Sequence, residues 1–195
     1  MRTLILKIKG FAFLCMMLFA ACNSGNQGDR TVDSIEDMND SMAQRTDSSV
    51  STVAKLDDST FAKKAADAGL TEVAVGMLAQ EKSTNETIKE FGRMMVTDHT
   101  KANDELKAIA KQKNILLPTK PGEEHAQHIS MLSAKSGEDF DKGFSEMMVQ
   151  DHEKVYKLFE DAATSLSDVQ LKDFAAKTLP VLEKHLREAK TLPAK

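Results

Sequence analysis

Six side chains in this sequence stand out as candidates to hold a metal ion or to exchange a proton near neutral pH: Glu72, Asp98, His99, Asp151, His152 and His185. Four of them come as a repeated pair. The segment FGRMMVTDHTK carries Asp98-His99, and fifty-three residues later FSEMMVQDHEK carries Asp151-His152, with seven of eleven positions identical. Two chemistries suit such pairs. Imidazoles and carboxylates together ligate divalent iron, zinc or copper. Alternatively, a carboxylate accepts an imidazole N–H, and a buried network of such bonds fixes how helices pack. Neither pair has the Glu-x-x-His spacing of di-iron carboxylate bundles. Met95 lies four residues before His99, and Met148 four before His152. Thioether plus imidazole suits copper, although a Met on an apolar stripe ordinarily fills core space.

These residues need helices to bring them together, and the periodicity supplies four long ones. At about 100° per residue, Phe91, Met95, Ala102, Leu106 and Ile109 share a stripe, which Asp98 and His99 flank. Phe144, Met148, Val155, Phe159 and Ala162 repeat it, with Asp151 and His152 at the edges. Glu72 is centred on a face with Phe61, Ala65, Ala68, Gly76 and Ala79. His185 is centred on one with Phe174, Thr178, Val181, Leu182 and Ala189. Each helix therefore offers a ligand-type residue to the interior, where an unpartnered polar group is costly.

The predicted helices span 59–80, from a Ser83/Glu86 capping box to 113, 136–165 and, from a Ser167/Gln170 capping box, to 190. Pro180 should kink the last one. The short loops impose antiparallel hairpins. Between the second and third long helices lies a connector of about 23 residues with a short helix over 123–135, long enough to return along the bundle. The expected fold is all-α, a ferritin-like four-helix bundle with a long crossover between helices two and three, occupying 59–195. His125 and His128 in the crossover read as a solvated face.

Ahead of the bundle the chain changes character. Arg2, Lys7 and Lys9 precede the apolar run FAFLCMMLFAA, too short to span a membrane comfortably and ending in LFAAC. This resembles a bacterial lipoprotein signal over 1–21, with Cys22 as the lipid attachment site. Cys15 would leave with the signal, so the mature chain has no disulfide and no cysteine-based metal site or nucleophile. Residues 22–58 are acidic, with sparse apolar positions, and read as a disordered tether. With a net charge of −4 there is no basic footprint for nucleic acid. The expected location is the bacterial cell envelope, on the outer membrane facing the periplasm, with the lipid membrane as partner through Cys22.

AADAGLTEVAVGMLAQEKS, FGRMMVTDHTKANDELKAIA, FDKGFSEMMVQDHEKVYKLFEDAA and LKDFAAKTLPVLEKHLREAK resemble the bacterial family catalogued as domain of unknown function 4142. The likeness covers about 59–191. It implies a ferritin-like, exported protein, often a lipoprotein, and adds little about chemistry. The family's motif positions fall here on Glu72, Asp98, His99, Asp151, His152, Pro180 and His185. No nucleophile–base pair, phosphate loop or nucleotide motif is present. The sequence thus points to a non-catalytic binding or stress-related module; the competing class is a metal-dependent redox protein.

Overall fold

The computed structural model describes residues 56–193. The predicted signal, the Cys22 attachment site and nearly all of the tether lie outside the described residues. Within them are five α-helices and no strand: α1 (Asp58–Lys82), α2 (Glu86–Gln112), α3 (Glu123–Ser133), α4 (Gly137–Ser165) and α5 (Val169–Ala189). None is long and apolar enough to cross a membrane.

The caps explain where the helices start. Asp57 accepts from the Thr60 N–H at the head of α1, Asn85 from Thr87 at α2, and Asp168 from Leu171 at α5. The two predicted capping boxes therefore give way to neighbouring residues. Ser83 is already engaged as the C-cap of α1, which leaves Asn85 to start α2. Ser167 gives its N–H to Asp58 Oδ1, and Asp168 takes over the cap. Ser136 stands at the head of α4 as predicted, but its hydroxyl makes no capping bond. At the end of α2, Asn114 adopts a left-handed φ of 55°. The Ile115 N–H then reaches the Ala110 carbonyl at 2.9 Å, closing a Schellman turn.

Two apolar clusters form the core. The first joins Phe61, Leu106, Phe159, Leu171, Phe174 and Leu182. Three of its rings, Phe61, Phe159 and Phe174, pack with centroids 5.1 to 6.5 Å apart. The second joins Val75, Ile88, Phe91, Met95, Phe140, Phe144 and Met148. Each of the four long helices contributes to both clusters, and a polar layer separates the two. Of the stripe residues, Val181 departs from expectation at 37% exposed.

Helix α1 packs on α2 and α4, and α5 on α4 and α2. The α1–α2 approach is unusually close. A Cβ added to Gly76 would sit 2.7 Å from the Gly92 carbonyl oxygen, and one added to Gly92 would sit 2.7 Å from the Gly76 carbonyl. Only glycine at both positions lets the backbones meet. This contact is one helical turn beyond Glu72. Helix α5 continues through Pro180 without ending.

Candidate metal centre

In the polar layer, α1 places Glu72, α2 His99, α4 His152 and α5 His185. All four are buried, at 1%, 5%, 0% and 0% exposure respectively. The ring centroids of His99, His152 and His185 form a triangle with sides of 5.8, 5.2 and 5.5 Å. One ligand atom from each imidazole can be chosen so that all three lie within 4.8 Å of one another.

Each imidazole is held by one of its two nitrogens. His152 Nδ1 lies 2.9 Å from the Met148 carbonyl oxygen, one turn back on its own helix. His185 Nε2 lies 2.9 Å from Asp98 Oδ2 on α2. His99 Nδ1 lies 2.9 Å from Glu72 Oε2. The remaining nitrogens, His99 Nε2, His152 Nε2 and His185 Nδ1, have no hydrogen-bond partner. Glu72 Oε1 likewise has none, although His152 Nε2 comes within 3.5 Å of it. With Oε2 set beside His99 Nδ1, three imidazole nitrogens and Glu72 Oε1 are left without a well-aligned hydrogen bond in this layer. Such orphans are rare in folded proteins and expensive.

The donor set fits a divalent cation. Metal-bound imidazoles characteristically give their second nitrogen to a carboxylate or carbonyl, which fixes the tautomer and aims the ring. Asp98 fills that role for His185 and the Met148 carbonyl for His152, while Glu72 Oε2 stands beside His99 Nδ1. Apolar groups wall the layer. Phe91 meets His152 and His185 edge-on at 6.3 and 6.5 Å.

Electrostatics favour the ligating protonation states. Burial lowers the His152 pKa, with Glu72 partly offsetting it. It pulls His185 down to about 4, helped by His99 and opposed by the Asp98 bond. For Glu72, burial opposes the charge, but the charge interactions with His99, His152 and His185 outweigh it and hold the carboxyl down to about 2. Near neutral pH, an anionic carboxylate therefore faces neutral imidazoles at His152 and His185. This reverses the raised histidine values that Asp-His pairing alone would give, because removal from water dominates.

The two copies of the repeat diverge. Asp98 reaches across to His185, whereas Asp151 touches no imidazole. Its Oδ2 is buried without a partner. Its carboxyl is pushed up by burial and by the neighbouring charge of Glu72. The structure thus gathers Glu72 and three histidines, sets Asp98 behind one of them, and leaves Asp151 facing a cavity beside Glu72. Met95 and Met148 sit in the apolar core. His125 is not merely a solvated residue: its Nδ1 lies 2.8 Å from Asp67 Oδ2, and Asp67 Oδ1 accepts the Gly122 N–H at 2.6 Å. The sequence offered no signal for Asp67, which lies five residues before Glu72. The Met148 carbonyl, being backbone, has no sequence signature at all.

The architecture and site define an all-helical protein with a buried histidine–carboxylate cluster. The chain belongs to the family described as domain of unknown function (DUF4142), which matches residues 41–192. The match begins ahead of α1, inside the stretch read as tether. No match was found among the curated proteins or the solved structures.

Proposed function

We propose that this chain is a divalent-metal-binding protein of the bacterial cell envelope, with a three-histidine, one-glutamate site at the centre of a ferritin-like four-helix bundle. The observation that carries the reading is the triangle of three buried histidines, with one ligand atom from each within 4.8 Å of the others, every imidazole being set by one nitrogen and left without a partner at the other. A purely structural network would spend those atoms on one another. The donor set suits Zn(II), Fe(II) or Cu(II); with iron or copper the centre would serve redox chemistry, and with zinc it would brace the bundle.

Membership of the two apolar clusters supports the bundle topology. The N-terminal half of α1 meets the C-terminal halves of α2 and α4, and its C-terminal half meets their N-terminal halves. Helices α2 and α4 therefore run parallel, with α3 in the crossover between them. Cys22, following LFAA, would carry the lipid, and the acidic stretch behind it would set the bundle off the membrane.

Elemental analysis of the purified protein, followed by melts with Fe(II), Zn(II) and Cu(II) before and after chelation, tests the reading. We expect about one ion per chain. A hundredfold excess over Kd should add about 2.7 kcal/mol of stability. His99→Ala, His152→Ala and His185→Ala should each abolish the shift, and His125→Ala should keep it. Absence of bound metal together with no shift from any ion would sink the proposal. Fatty-acid labelling that persists in Cys22→Ala would remove the lipid anchor.

A further inference from the structure

We infer that the cavity bounded by α1, α3 and α4 is the port through which a divalent cation reaches the cage, with Asp151 as the carboxylate that receives it on the way. The inference rests on the metal-binding reading of the cage and adds its route.

The cavity has a volume of about 390 Å³. Its wall includes Asp67, Thr71 and Glu72 from α1, Glu124 and His125 from α3, and Asp151 from α4. Glu72 belongs to the cage and to this wall at once. It is 1% exposed, and its Oε1 has no well-aligned donor. Asp151 adds a second buried oxygen without a partner, Oδ2, to the same space. Two orphaned carboxylate oxygens from different helices along one cavity make a path for a cation.

The charge arrangement agrees. Lys64 and Lys154 on the wall are exposed, whereas Glu72 is buried and Asp67 and Asp151 are half-buried. Asp67 is already occupied by His125 and the Gly122 N–H, which leaves Asp151 and Glu72 to act on an incoming ion. The alternative way in is poor. The other void that Glu72 and His99 line is only about 10 Å³, and Leu106, Phe159, Phe174 and Leu182 make up much of its wall, beside Asn103 and Thr178. A cation crossing that layer would shed its water against hydrocarbon. In the cavity it exchanges water for Asp151, then for Glu72, then for the imidazole nitrogens.

Stopped-flow mixing of the metal-free full chain with Zn(II), in competition with a chromophoric chelator, measures uptake, and excess EDTA measures release. Asp151→Asn removes the receiving charge at constant shape. Leu158→Trp fills the cavity from α4, since Leu158 lies on its wall. Damage to a port raises the barrier to entry and exit alike and leaves the end state alone. Each variant should therefore slow uptake on the order of tenfold, slow release by the same factor, and hold Kd within about twofold. Wild-type rates in both variants would overturn the port. So would a weakened Kd with unchanged uptake in Asp151→Asn, which would make Asp151 a ligand of the cage. If the wild-type chain takes up no Zn(II), the metal reading fails and the port with it; the binding control separates that result from the other two.

Discussion

Asp98 and Asp151 occupy equivalent places in two copies of one motif, yet only Asp98 is bonded to an imidazole. Asp98 is half-buried and holds His185 from behind, so it should tune the site without touching the ion. We expect Asp98→Ala to weaken metal binding by about 10- to 100-fold while leaving one ion per chain. Competition titration against a chelator reads this directly; unchanged affinity would show that His185 is aimed by packing alone. Helical phase singled out the four that the structure buries together, Glu72, His99, His152 and His185, because Glu72 and His185 sit at the centres of their stripes and the Asp-His pairs at the edges. The difference between the two copies was not legible. It depends on how far each helix turns about its own axis against its neighbours, and eleven residues with seven identities carry no information about that.

At the scale of the elements, the Gly76–Gly92 contact brings α1 and α2 close enough for Glu72 and His99 to meet. Gly92→Ala puts a methyl against the Gly76 carbonyl at 2.7 Å, and the helices must part. We expect a loss of about 1–3 kcal/mol in urea denaturation of the metal-free protein, together with weaker metal binding. A destabilised variant with intact affinity would uncouple the contact from the site. Helix α3 is tied down differently, by one carboxylate serving a ring and a backbone N–H. Loss of that tie in His125→Ala should raise hydrogen exchange in α3 and leave α2 and α5 protected. Helix existence and phase were readable from the apolar period. The cap residues were not, because Ser83 and Asn85 are both competent caps and the choice was made by where α1 ends. The His125–Asp67 pair was hidden because it joins elements fifty-eight positions apart.

Across the whole molecule, the buried cluster makes stability depend on pH. His152 and His185 have folded pKa values below their unfolded ones, His185 at about 4. Between those values the unfolded chain binds more protons, so stability falls as pH drops from about 6.5 toward 4. Glu72, held at about 2, contributes stability above its unfolded value and loses it as pH falls further. Asp151, pushed up, acts in the opposite sense and is outnumbered. We expect the melting temperature of the metal-free protein to drop by several degrees between pH 7 and pH 4. A level profile over that range would mean that water reaches the histidines. The direction of this dependence could not be read from the sequence. Adjacent Asp and His suggest a mutual pull on their pKa values, and only the depth of burial shows which influence prevails.

The cage is divided evenly along the chain. Glu72 and His99 belong to the α1–α2 hairpin, and His152 and His185 to the α4–α5 hairpin, with the 113–122 segment running between α2 and α3. Neither hairpin alone carries more than two of the four proposed ligands. A chain severed within 113–122 would yield two fragments, each half of the proposed chelator, whose reassociation free metal would then favour. Mixed in equal amounts with EDTA, they should sediment as separate species; with Zn(II), they should form a one-to-one complex with the helicity of the intact bundle. The single linker would then be replaced by an ion, and the protein would become a metal-dependent heterodimer.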